Sequence, residues 1–358
     1  MKLVKGSWLL HYQTSGYSRF PRCQDIPPEG FWTAEEFESF QRLILTVAIS
    51  YCWLHPVHPD PQGLHFQTLC RALRLRLEVT GPAKVEDIAF FLDYCSLPQK
   101  GEVGDRNSPS PGEDRTPEEA QTFKNGLGQV NIPYAHQVID TWMLQWTPKE
   151  IPNYMKRGWP FFERCVSSLI KDAAKLYDIK HMFDYQSWQQ VHDFSTEDRL
   201  PPITPAAFDK LLEEKHFTNG KTDFQFVKGK YAETFKDVVG GATELLFSGL
   251  GWGDLEAEQL THLLPFALCL ETLCLGANHI TTTGALLLAK AAKRCPTLRS
   301  IDFSGNGIDD LLTVCQAWQE SGKDPKELRI GGTSKPRPGA KAEWQRPEDA
   351  ERLAIGMK

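Results

Sequence analysis

The stretch from Leu270 to Ile308 leaves the chain the fewest choices. Leu270, Leu273, Leu275, Asn278 and Ile280 recur as Leu298, Ile301, Phe303, Asn306 and Ile308, each 28 positions later. The same step backwards falls on Leu245 and Phe247, and a last strand fits Leu328-Arg329-Ile330. Within a unit, Leu273 and Leu275 are two apart, the period of a strand with one buried face. Gly284 to Lys293 supplies a helix. A strand plus a helix cannot bury its apolar side alone, so such units must stack with their strands adjacent. The asparagine side chain is suited to bonding backbone in the turn after the strand. Three or so units are few, and they need the preceding helices as a cap.

Composition narrows the rest. The chain has 358 residues, 41% hydrophobic and 24% charged, which suits a globular protein long enough for two domains. A net charge of -6 argues against a nucleic-acid footprint, which would carry a basic stripe. No apolar run reaches the roughly 18 residues needed to span a bilayer, and Met1 to Leu10 is too weakly apolar for a signal-peptide core. Nine cysteines without framework spacing read as buried thiols in a reducing compartment, so the cytoplasm is the expected location.

Ahead of the repeats, short buried strands alternate with helices. Residues 1 to about 30 read as an extended arm, and Thr33 opens a helix. Leu45 to Trp53 is a β-branched and aromatic run stopped at His55-Pro56, which predicts a buried parallel strand. Leu64 to Leu77 has helical spacing. Ile88 to Asp93 predicts a second strand, and residues 100 to 117 a polar loop. Thr116-Pro117-Glu118-Glu119 has the form of a capped helix start. Tyr134 to Trp142 predicts a third strand. Ala206 to Glu214 and Tyr231 to Val239 read as helices around the polar segment 218–223. Strand–helix alternation implies an α/β parallel sheet with helices on both faces, whose ligand crevice lies at the carboxyl ends of the strands.

The segment Arg157 to Lys171 then becomes the focus. Trp159, Phe162, Val166, Leu169 and Ile170 share one face of a predicted helix, and Glu163 lies in its first turns. A carboxylate there is either a dipole-stabilising surface group or a working group in a cleft. The loops leaving Tyr51 and Asp93 are expected to converge on it.

Three segments in this order carry a family resemblance. Ala48-Ile49-Ser50-Tyr51-Cys52-Trp53 resembles the opening "ISY.W" strand of the TIR domain and of its relative, the fungal heterokaryon-incompatibility domain. Phe91 to Gln99 resembles the incompatibility domain's "WIDaiCINQ" and the TIR "FID" strand, and Glu119 to Trp142 parallels the former's helix and "YA..V..W". Trp159 and Glu163 stand four apart, as in the TIR "WxxxE" segment. The resemblance covers roughly 45 to 175. It implies a flavodoxin-like sheet, and NAD cleavage with Glu163 as the catalytic carboxylate in the manner of catalytic members. Tyr51, Trp53, Asp93, Tyr94 and Trp159 would be the nucleotide-binding residues, with Asp93 on a ribose hydroxyl and aromatics on a base. The loop after the second strand is longer and more proline-rich than the family pattern, and no run matches its later strands. The 28-residue units resemble ribonuclease-inhibitor-type leucine-rich repeats, which implies protein docking through strand-side residues such as Glu271, Cys274, Arg299 and Asp302.

The resulting organisation is an arm and helix at 1–44, a TIR-like α/β domain at 45–180, a helical connector at 181–241, leucine-rich repeats at 242–332 and a flexible tail at 333–358. The expected function is intracellular, immune-type signalling with NAD as substrate and no permanently bound cofactor. The alternative is a non-catalytic adaptor that self-associates and binds proteins through its repeats. Other motifs have blander readings. His55, His58 and Asp60 lack the geometry and the further ligands of a metal site. Cys95 with His136 is a nucleophile–base pair only if the fold brings the two together. Val238-Val239-Gly240-Gly241 lacks a P-loop lysine.

Overall fold

The computed structural model describes residues 1–40, 43–105, 107–195, 199–217 and 220–331. The tail expected at 333–358 and part of the polar segment 218–223 lie outside them. The described residues fall into two compact units, one drawn from Met1–Arg164, Ala174–Glu197 and His216–Gly220, the other from Cys165–Ala173, Asp198–Lys215 and the described residues after 220.

The first unit opens with strand β1 (Val4–Lys5), helix α1 (Gly6–Thr14) and helix α2 (Ala34–Phe40). Then come β2 (Ile44–Tyr51), α3 (Leu64–Leu77), β3 (Asp87–Phe91), the short α4 (Asp93–Ser96), α5 (Pro117–Gly128), α6 (Asn131–Ala135), β4 (Asp140–Leu144), α7 (Gly158–Ser167), β5 (Leu176–Asp178) and α8 (Trp188–Ser195). The five strands stand in the order β1-β3-β2-β4-β5. β1 is antiparallel to β3, while β2, β3, β4 and β5 are mutually parallel. A parallel sheet with helices, as the alternation predicts, is therefore what forms. Its parallel strands run second, first, third, fourth across the sheet, so the direction of winding reverses between β2 and β4. In open α/β sheets that reversal is where a crevice opens at the strands' carboxyl ends.

β2 is central because both of its faces are apolar. From Val47 to Tyr51 every residue is buried. Val47, Ile49 and Tyr51 pack with Phe66, Leu69 and Leu73 of α3 and with Ile88 and Phe90 of β3. On the other face Cys52, Met143, Tyr154 and Leu176 form a smaller cluster. Thr116 caps α5 as its sequence indicates: its hydroxyl accepts from Glu119 N at 3.2 Å and Glu119 Oε2 accepts from Thr116 N at 2.9 Å.

Two expectations for the first unit need correction. Residues 1–30 are not an extended arm: Val4 pairs with Phe90, and Val4 and Leu9 are fully buried in the main core. Asp87 anchors α1 by accepting from Ser7 N at 2.9 Å and Ser7 Oγ at 2.6 Å. The third parallel strand is Asp140–Leu144 rather than Tyr134 to Trp142. Tyr134 belongs to α6 instead, and His136 to Val138 are exposed, whereas all five residues of β4 are buried.

In the second unit, α9 (Pro205–Leu212) lies against α10 (Lys221–Gly241), one long helix where the sequence suggested only Tyr231 to Val239. Phe208 stacks on Tyr231 at 3.8 Å, and Tyr231 donates to Ile203 O at 2.8 Å. After it follow β6 (Glu244–Leu246), α11 (Asp254–Leu263), β7 (Thr272–Cys274), α12 (Thr282–Ala291), β8 (Ser300–Asp302), α13 (Leu311–Glu320) and β9 (Leu328–Arg329). The four strands form one parallel sheet in sequence order, with Leu245 beside Leu273 and Leu273 beside Ile301. The 28-residue step is thus the strand register itself. Asn278, 4% exposed, donates to Phe247 O at 2.7 Å and Leu275 O at 2.8 Å and accepts from Leu250 N and Trp252 N at 2.9 and 3.1 Å. Asn306 repeats the pattern on Leu275 O, Phe303 O and Ile280 N. Among the described residues no helix is long and apolar enough to cross a membrane.

Candidate functional site

The carboxyl end of β2 gathers two carboxyl groups. Adjacent strand residues face opposite sides of a sheet, so Ser50 and Tyr51 reach different neighbours. Ser50, fully buried, donates its hydroxyl to Glu163 and lies 2.5 Å from the hydroxyl of Tyr154. Tyr51 donates to Oδ1 of Asp93. The other Asp93 oxygen accepts from Trp53 Nε1 at 3.2 Å, and Tyr94 N donates to Oδ1 at 2.6 Å. Asp93 opens α4 directly after β3, a position where an acid is favoured by the helix dipole. Gln99 Nε2 holds the Asp93 carbonyl at 3.1 Å.

Glu163 is half-buried, but dense protein surrounds its carboxyl. Burial pushes its pKa well above the usual carboxylate range; the charge of Asp93 pushes the same way, and hydrogen bonds from Ser50 and Tyr134 pull against both. The Asp93 carboxyl is raised by burial too, opposed by its donors Tyr51, Tyr94 N and Trp53. Tyr51, Tyr134 and Tyr154 are all held well above their ordinary range, first by burial and then by these carboxylates. The phenols are therefore held neutral, as donors, and the Glu163 carboxyl resists ionisation. Such a carboxyl can give up its proton to a base, or ionise when a cation arrives and stabilise that positive charge.

Of the residues singled out from sequence, Tyr51, Trp53, Asp93 and Glu163 come together here. Trp53 keeps partial exposure, as do Asp93 and Glu163. Tyr94 is only 1% exposed; its ring meets Trp53 edge-on at 5.8 Å and its hydroxyl pairs with Ser110 Oγ at 2.6 Å. It supports Trp53 from below and offers no open face. Trp159 lies one helical turn before Glu163, half-buried, with its ring edge-on to Phe162 at 6.0 Å. Sequence reasoning missed Ser50, Tyr134 and Tyr154 as members of the site. A serine inside a continuous buried run was the available signal, since a buried hydroxyl needs a partner. Tyr154 had no local signal.

The other motifs are structural. His58 Nδ1 accepts from Asp60 N at 2.9 Å and its Nε2 meets Phe20 O at 3.2 Å, while burial pushes its pKa down to about 4. The Asp60 carboxylate caps α3, accepting from Leu64 N at 2.9 Å and Phe66 N at 2.8 Å. Among the described residues no group of three or more His, Cys, Asp or Glu could hold a metal ion. Cys95 donates to Pro21 O, and burial raises its thiol pKa, the reverse of what a nucleophile needs; His136 is exposed. Val238 to Gly241 lie inside α10, so they form no phosphate loop.

On the repeat sheet, Glu271 and Arg299 are exposed with their charges 3.9 Å apart. Cys274 and Asp302 are half-buried on the strands, where Asp302 Oδ1 accepts from Ser304 N at 2.8 Å.

Neither a family model nor a curated protein matches this sequence.

Proposed function

We propose that the first unit is a TIR-like, flavodoxin-like domain that cleaves NAD at Glu163, and that the second is a ribonuclease-inhibitor-type leucine-rich repeat that docks a protein partner. The cell compartment in this reading is the cytoplasm and the role is immune-type signalling. One observation carries the catalytic part. Glu163 lies at the carboxyl end of the central strand, bonded to Ser50, in the electrostatic range of Asp93 and beside the point where the sheet reverses its winding.

In this reaction the bond between the ribose C1′ and the nicotinamide nitrogen breaks, and its electron pair stays on the departing nicotinamide. The positive charge left on the ribose is what Glu163, once ionised, stabilises, and water then adds to C1′ with loss of a proton to solvent. The cationic pyridinium favours ionisation of a carboxyl that otherwise resists it. Trp53, half-exposed beside Asp93, offers a ring for stacking on the base. The experiment is incubation of the full chain with NAD beside Glu163→Ala, followed by nicotinamide release. Release by the parent alone supports the reading. Equal release by both, or none by either at high protein concentration, overturns it.

A second reading, a silent adaptor that assembles with itself and binds proteins through the repeats, has one observation in its favour. Both Asp93 oxygens are already occupied by Tyr51, Trp53 and the Tyr94 amide, which competes with a ribose hydroxyl. Concentration-dependent assembly without nicotinamide release selects it.

A further inference from the structure

We infer that Ser50 and Tyr154 are the positioning residues of Glu163, a hydroxyl chain that fixes its carboxyl at the end of β2 and sets the acidity at which it works. The inference rests on Glu163 being the working carboxyl of the proposed reaction, and proton accounting carries it. Ser50 has one hydroxyl proton, and it goes to Glu163. The contact of 2.5 Å between Ser50 and Tyr154 must then take its proton from Tyr154, so the chain runs Tyr154 to Ser50 to Glu163. The Tyr134 hydroxyl also reaches the carboxyl, but its one proton is shared with Ile49 O at 3.0 Å, whereas that of Ser50 goes to Glu163.

The placement also explains how the site is held. Tyr154 is 1% exposed and packed with Cys52, Met143 and Leu176. It opens a single 3-10 turn whose cap is Asn153, accepting from Lys156 N at 3.1 Å. That turn leads directly into α7. Ser50 therefore ties both the turn before the helix and a side chain within it to one point on the sheet. The charged or titratable groups around the carboxyl are Asp93 on α4, Tyr134 on α6 and Cys52 after β2, with Tyr154 and the arginines Arg157 and Arg164 on the α7 segment. Of these, Asp93 opposes ionisation of Glu163, as does burial. A hydrogen bond to the charged form counters them.

The test is carbon-13 NMR titration of the full chain labelled at glutamate carboxyls. The Glu163 signal is assigned by its loss in Glu163→Gln and followed from pH 4 to 10. Ser50→Ala is expected to raise its midpoint by about one pH unit, the scale of a hydrogen bond to a charged group. Tyr154→Phe raises it less, and Ser50→Thr, which keeps the hydroxyl, restores the parent midpoint. A folded Ser50→Ala with the parent midpoint overturns the inference, as does a Glu163 signal that does not titrate in this range. Should Ser50→Ala fail to fold, an unmoved midpoint in Tyr154→Phe is the overturning result. Nicotinamide release is measured on the same samples. Shifted midpoints with no release in any sample remove the enzyme reading and leave the positioning assignment standing.

Discussion

Ser50 and Tyr51 are neighbours on β2, yet their hydroxyls serve different carboxyls: Ser50 donates to Glu163 and Tyr51 to Asp93. The alternation of a strand thus brings two acids to one strand end from opposite faces of the sheet. Because burial raises both carboxyls and the charge of Asp93 raises Glu163 further, the pair is costly to keep charged. That cost gives the site a pH signature separate from any activity.

Glu163→Gln should become relatively more stable as pH rises. The folded pKa of Glu163 lies above its unfolded value, so the native state binds more protons between the two and stability falls with rising pH in that window. Its contribution is complete below the unfolded value near pH 4.3 and is lost as pH climbs through the folded one. Glutamine has no such loss. Urea denaturation at pH 4, 6 and 8 checks it: a difference from the parent that is the same at all three pH values contradicts a raised pKa for Glu163 in the folded state.

Tyr51→Phe should show the opposite trend. Its hydroxyl supports the ionised form of Asp93, so removing it costs most where Asp93 is charged. The expected loss is about 1.5–3 kcal/mol at alkaline pH, the range for a hydrogen bond to a charged group. It shrinks as pH falls through the raised pKa of Asp93 and the carboxyl takes up its proton. A penalty independent of pH would mean that only packing was lost.

How far the sequence reveals this arrangement depends on how far apart the partners lie. The helix at Leu64–Leu77 and the cap at Thr116 are local patterns, and both form as read. The 28-residue step translates directly into strand register because each unit copies its neighbour. β1 has only two residues and owes its existence to Phe90 and Ala89, far along the chain, so no local period announces it. Tyr134 looks like a strand residue by composition, but burial decides, and the buried run begins at Asp140. At the site, Glu163 and Asp93 stood out as acids at element ends. Tyr154 did not, because its partner Ser50 is 104 residues away.

Asn278→Ala should cost roughly 2–4 kcal/mol, and Asn306→Ala less. Asn278 is 4% exposed, so its loss strands the Phe247 carbonyl and two amides in the interior, while Leu275 O keeps the bond from Asn306. Asn306 makes equivalent bonds half-buried, where water replaces part of what is lost. Urea midpoints for the two variants decide the order. An equal cost for both would place the stabilisation in the turn geometry rather than in buried hydrogen bonds.

Two glycine-to-alanine changes in helices should have opposite signs. In α10, a Cβ at Gly229 meets nothing within 4 Å, so Gly229→Ala gains helix propensity and stabilises by about 0.5–1 kcal/mol. In α12, a Cβ at Gly284 would lie 2.5 Å from Asp254 Oδ1 and 3.0 Å from Ala257 Cβ. Asp254 cannot retreat freely, because the same oxygen accepts from Thr281 N at 2.8 Å and Gly284 N at 3.1 Å. Overpacking there forces α12 away from α11 and outweighs the propensity gain, for a net loss of about 1–3 kcal/mol. Thermal melts of the two variants beside the parent separate the effects. A stabilising Gly284→Ala would show that α11 and α12 have room to shift, and that the close approach is not what keeps the repeat units in step.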